Sequence, residues 1–157
     1  MSISALAQRV VVTIHRQATT EDAASLMRSS HIGDVVVVDA ANTRVPVGMI
    51  TDRDIVVKVV AQGLIPAQTP VGSVMSSPVV TVREEEGFIE ALDKMSAHGV
   101  RRAPVVDRDG RLRGLISVDD LVPLLARELA KIGALIRHGQ ATEIQKTEHS
   151  LSDEFTT

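Results

Sequence analysis

Two stretches of the chain carry the same arrangement of reactive side chains. Residues Gly48 to Val56 read G-M-I-T-D-R-D-I-V, and Gly114 to Val122 read G-L-I-S-V-D-D-L-V. The shared pattern, Gly-apolar-Ile-Thr/Ser-x-x-Asp, ends a strand at Ile50 or Ile116. It then supplies a hydroxyl, Thr51 or Ser117, and a carboxylate, Asp54 or Asp120, in the first turn of a helix. A strand-to-helix corner exposes unpaired backbone N–H groups at the positive end of the helix dipole, which favours an anion such as phosphate. A carboxylate one turn in is placed to hold a ribose diol. The same spacing also fits a capping box, in which hydroxyl and acid satisfy the backbone donors at the helix start. Both readings stay open on the residues alone, because duplication copies caps as readily as binding sites.

The duplication extends well beyond these corners. A displacement of 68 residues sets Thr13 on Thr81, Ala23 on Ala91, Met27 on Met95 and Val37-Val38-Asp39 on Val105-Val106-Asp107. After that the displacement is 66, since eight residues separate Asp39 from Gly48 and six separate Asp107 from Gly114. A period this long exceeds the roughly 20–50 residues of solenoid repeats. Two copies of about 60 residues, each too small to bury much surface alone, are expected to pack on one another.

Each copy changes hydrophobic period in a fixed order. Val10 to Ile14 is a β-branched run, and Thr20-Glu21-Asp22 then offers a cap followed by acids suited to a helix start. In that helix Ala23, Ala24 and Met27 share a face, as do Phe88, Leu92 and Met95 in the second copy. Val35 to Val38 suits a strand buried on both sides. Turn chemistry at Asn42 and at Asp107-Arg108-Asp109-Gly110 leads into further strands, Val45 to Ile50 and Arg111 to Ile116. A helix from about Asp52 to Gln62 follows, with Gly63 as its stop and Ile55, Val56, Val59 and Val60 on one side. The expected fold is therefore α/β (α+β), two βαββα units related by a pseudo-twofold axis. Residues 1–63 form the first, 64–73 a linker, 74–137 the second with an extended helix, and 138–157 a polar, patternless tail that is expected to be mobile. The long helix carries Leu121, Leu125, Leu129, Ile132 and Ile136 as a stripe, either a contact surface or a cap on the chain's own core.

Composition narrows the function classes. The 157 residues are 44% hydrophobic and 24% charged, as one globular domain requires. Without cysteine, thiol nucleophiles, thiolate metal sites and disulfides are excluded. No apolar run approaches the roughly 20 residues that span a bilayer, so the expectation is a cytoplasmic protein with no membrane partner. A net charge of −3 and only two aromatic residues, Phe88 and Phe155, argue against nucleic acid. The five histidines lack metal-ligand spacing, and no G-x-S-x-G, G-x-x-x-x-G-K or G-x-G-x-x-G motif is present. The hairpin Arg101 to Arg113 holds five arginines, but Asp107 and Asp109 interleave them, which reads as a solvated turn.

The duplicated βαββα unit, the stretch Ala103-Pro104-Val105-Val106-Asp107 and the Gly-apolar-Ile-Thr/Ser-x-x-Asp endings together resemble a tandem pair of cystathionine-β-synthase-type (CBS) domains, a Bateman module, over about Val10 to Arg127. The resemblance implies a non-enzymatic sensor that binds an adenosine nucleotide (AMP, ADP or ATP), or else NAD or S-adenosylmethionine, as a regulatory ligand in clefts between the copies. It implies a homodimer and an effector protein that responds to occupancy. It assigns the hydroxyl role to Thr51 and Ser117, ribose binding to Asp54 and Asp120, and phosphate contacts to Arg101 and Arg102, with Arg53 as a further basic candidate. The first copy has Gly33 and Asp34 where the second has Arg101 and Arg102, so its cleft is expected to disfavour phosphate. Val12, Thr13, Val35 and Val36 are then expected to face the ligand held by Asp120, and Val79, Val80, Ala103 and Pro104 the ligand held by Asp54. The alternatives are a structural homodimerisation module with empty clefts and, third, a small nucleotide-processing enzyme.

Overall fold

The computed structural model describes Ile3 and residues 6–154. The first copy comprises β1 (Thr13–His15), α1 (Thr20–Ser30), β2 (Asp34–Asp39), β3 (Asn42–Thr51) and α2 (Asp52–Ile55), the last continued by a π-helical turn, Val56–Val60. The second comprises β4 (Val82–Arg83), α3 (Phe88–Ala97), β5 (Arg102–Val106), β6 (Leu112–Ser117) and α4 (Val118–Glu154). Each copy builds a three-stranded sheet, β1-β2-β3 or β4-β5-β6, with the first pair parallel and the second antiparallel. The βαββα order expected from the repeat is the order observed. The chain divides into a body, residues 1–117, and a separate unit formed by α4.

The four valines of β2 are all at most 2% exposed, as a strand covered on both faces requires. Ala23 and Met27 of α1 pack with Val35 and Val37, together with Ile14, Ile50, Ile55 and Val59. Ala24, expected on the same face, points to solvent. Capping of α1 falls to Thr19, which forms a reciprocal capping box with Asp22. Thr20 is buried instead, its N–H donating to Thr69 O and its hydroxyl to Pro66 O. After α2, four valines in five residues take the wider π spacing, with Ala61 N–H donating to Val56 O. Ile55 and Val59 face the core, whereas Val56 and Val60 turn outward. Gly63 ends the segment at φ 69°, a conformation glycine adopts without strain.

The stretch taken from sequence as a linker is part of the first copy's core. Val71 is fully buried there and Val74, the first residue expected of the second copy, nearly so; Val71 N–H donates to Ala18 O at 2.8 Å. Its counterpart 68 residues earlier, Ile3, is fully buried with its N–H on Glu86 O of the second copy. Further along, Ser76 and Met49 exchange two backbone hydrogen bonds of 2.8 and 3.1 Å, and Gln8 and Leu115 exchange two of 2.9 Å. Each copy's leading segment thus makes a β-bridge to the last strand of the other copy's sheet, a reciprocity that fits pseudo-twofold symmetry. Glycine is needed where these segments cross. A Cβ on Gly114 would lie 2.7 Å from Gln8 O, and one on Gly48 would collide with the Met75 sulfur.

Helix α4 continues to Glu154, so the polar stretch after Gly139, expected to be a mobile tail, is helical that far; the last three residues lie outside the described part. Of the expected apolar stripe, Leu121 is buried, while Leu125, Leu129, Ile132 and Ile136 are exposed.

Candidate functional site

The two corners sit at the ends of β3 and β6, and the register ties each to the start of the preceding strand. Thr51 is the partner of Asp34 across β2 and β3, and Ser117 that of Arg102 across β5 and β6. Asp34 and Arg102 in turn form an ion pair that links the copies. Arg102 also donates from Nε to Ser117 Oγ at 3.4 Å. Thr51, Asp34, Arg102 and Ser117 thus run in one row across the boundary between the two sheets. Asp34 is 6% exposed in this pair and Arg102 39%, so the carboxylate is enclosed while the guanidinium remains open to solvent. Asp34 and Arg102 are equivalent positions of the repeat. Their charges were expected to mark one cleft as acidic and the other as basic, but they neutralise each other.

At the first corner Thr51 and Asp54 form a complete capping box. Thr51 N–H and Oγ1 donate to Asp54 Oδ2 at 3.0 and 2.8 Å, and Asp54 N–H donates to Thr51 Oγ1 at 3.0 Å. The other carboxylate oxygen, Oδ1, meets Lys58 Nζ at 2.8 Å, and the same ammonium reaches Val74 O at 2.8 Å. Burial works against the charge on Asp54. Hydrogen bonds from Lys58 and Thr51, with the Lys58 charge, outweigh it and hold the carboxyl below its ordinary value of 3.8. Lys58 went unrecognised in the sequence, although it stands four residues after Asp54, the spacing of a helical ion pair.

The other candidates divide by environment. Val36 N–H donates to Val12 O and Val36 lies beside Thr13 in register, so Val12, Thr13 and Val36 meet where β1 joins β2. Val35, Val36 and Ala103 are buried core residues, as is Pro104. Val79 and Val80 are half-buried, whereas Arg53 and Arg101 are exposed. A cavity of about 390 Å³ opens beside β3, lined among others by Val45, Val47, Pro78, Val79 and Thr81. Of the expected ligand contacts only Val79 reaches it. Asp120 stands exposed in the first turn of α4. The arginine-rich hairpin is a built turn in which Asp107 accepts from Asp109 N–H, Arg111 N–H and Arg113 Nε. Among the described residues no group of three or more His, Asp or Glu could hold a metal, and no helix is long and apolar enough to cross a membrane.

Two three-stranded α/β repeats that bridge to each other's sheets and bring paired hydroxyl-bearing corners to a shared boundary define a tandem-repeat module of the Bateman type. The chain belongs to the CBS-domain family, whose pattern matches residues 3–61 and 71–127. It is 38% identical over 122 residues to an uncharacterised protein of Methanopyrus kandleri, a match that covers 78% of this chain and 61% of that relative. Its fold is similar to that of a CBS domain protein from Pyrobaculum aerophilum complexed with AMP, with a TM-score of 0.73 and 29% identity, covering 83% of this chain and 99% of the other. It is also similar to the CBS domain pair of protein MJ0100 in complex with 5′-methylthioadenosine and S-adenosyl-L-methionine, with a TM-score of 0.71 and 25% identity, covering 82% and 98%.

Proposed function

We propose that this chain is a regulatory module that binds an adenosine-type nucleotide in the clefts between its repeats and passes the occupancy to a partner protein. The observation that carries the reading is the row Thr51, Asp34, Arg102 and Ser117, which sets two hydroxyl corners and a solvent-open guanidinium at one boundary. Relatives of the same fold that hold AMP or S-adenosylmethionine support the ligand class. The guanidinium suits a phosphate, and the motif carboxylates Asp54 and Asp120 suit a ribose diol. At Asp54 an incoming ribose meets competition from Lys58. Binding rather than catalysis is the reading adopted, since the Thr51 hydroxyl and the Asp54 carboxylate are tied together in a helix cap.

A panel of AMP, ADP, ATP, NAD and S-adenosylmethionine in thermal unfolding tests it. A ligand that binds only the folded state stabilises it by RT ln(1 + [L]/Kd), about 2.7 kcal/mol at a hundredfold excess over Kd. At least one compound should raise the midpoint saturably, and a flat response to all five would refute the proposal. A second reading, homodimerisation, is favoured by the exposed apolar strip Leu125, Leu129, Ile132 and Ile136 of α4. The two are compatible. Light scattering should give twice the mass of one chain, and a monomer with and without nucleotide would rule the dimer out.

A further inference from the structure

Arg102 already carries an anion. The Asp34 carboxylate occupies its Nη1, and Ser117 Oγ takes the hydrogen bond from Nε. Asp34 is buried, and it sits at the start of β2, held by the register that pairs it with Thr51. Its carboxylate is enclosed, whereas the guanidinium is reachable from solvent. A phosphate that approaches Arg102 must therefore share the guanidinium with, or displace, an enclosed negative charge.

We propose that Asp34 is an affinity-setting residue, a resident competitor for the guanidinium that a nucleotide phosphate would use. The proposal rests on the nucleotide reading above and adds to it a residue that lowers phosphate affinity while joining the two repeats. It makes the module respond at a higher ligand concentration than the same cleft with a neutral side chain, and it confines the effect to charged ligands. Adenosine, which has no phosphate, is indifferent to the competition.

Calorimetry with AMP and with adenosine on the unaltered chain and on Asp34→Asn tests the inference, since Asn keeps the shape and an acceptor for Arg102 without the charge. AMP should bind Asp34→Asn roughly 10-fold more tightly, the lower end of what a charge-assisted hydrogen bond is worth, with adenosine unchanged. Equal or weaker AMP binding, or an equal gain for adenosine, would overturn it. If neither form binds AMP or adenosine, the nucleotide reading fails, and inorganic pyrophosphate decides the competition separately. A larger rise in melting temperature with pyrophosphate for Asp34→Asn than for the unaltered chain, abolished in Asp34→Asn/Arg102→Gln, sustains it. No difference between the three proteins ends it.

Discussion

Gly114→Ala probes the exchange of leading segments, and here even the sign of the effect is informative. In an unconstrained strand, Gly→Ala stabilises by about 0.4–1 kcal/mol, because it removes freedom from the unfolded chain. At Gly114 the new methyl would lie 2.7 Å from Gln8 O and 3.0 Å from Ala7 Cβ, so the leading segment must move away from β6. The two backbone bonds between Gln8 and Leu115 are then lost, each worth about 0.5–1.5 kcal/mol. If Ile3 loses its burial as well, a further 1.5–3 kcal/mol or so goes with it. The expected loss in urea unfolding is about 1–3 kcal/mol from the two bonds, rising to about 2.5–6 kcal/mol if Ile3 is released, in each case less the 0.4–1 kcal/mol or so gained through the unfolded chain. Amide exchange should also become faster at Gln8 and Leu115. A variant as stable as the parent, or more stable, would show that residues 6–9 contribute nothing to the second sheet.

Asp54→Asn should cost about 1 kcal/mol near neutral pH through the weakened capping box and the lost Lys58 charge pair. Because the folded pKa of Asp54 is depressed, its contribution is complete above the ordinary value of 3.8 and is lost as pH falls through the lower folded value. The difference between variant and parent in denaturant unfolding should accordingly shrink in acid, and a gap that is independent of pH would contradict the assignment. Asp120→Ala should weaken AMP binding roughly 10- to 150-fold with the fold intact. Calorimetry that finds equal affinity and only a lowered melting point would return Asp120 to a helix cap.

The elements were legible because their signals are local. The valines of β2, the Gly-apolar-Ile-Thr/Ser-x-x-Asp corners and the turn at Asp107 to Gly110 each state a period or a turn type within a few residues. What escaped were pairings between residues far apart in the chain. Val71 read as linker, since nothing in its neighbours reveals which core it will join. Thr20 looked like a cap until Pro66 O took its hydroxyl. The displacement of 68 that aligns the copies also superposes Asp34 on Arg102, and alignment treats such a pair as alternatives rather than neighbours. At the first corner the capping box was one of two open readings, and Lys58 adds to it a partner that the motif itself does not contain.

The ion pair at the boundary has a history written into its geometry. Equivalent residues meet near an axis of twofold symmetry, so an ancestral dimer of a single repeat would have set each such residue against its own twin. An acid would have faced an acid, or an arginine an arginine. Only once the two repeats share a chain can the positions diverge separately, one to Asp34 and the other to Arg102, and turn a self-repelling contact into an attraction. Fusion would then have done more than tether two ancestral subunits: it released the residues on their axis from having to be identical.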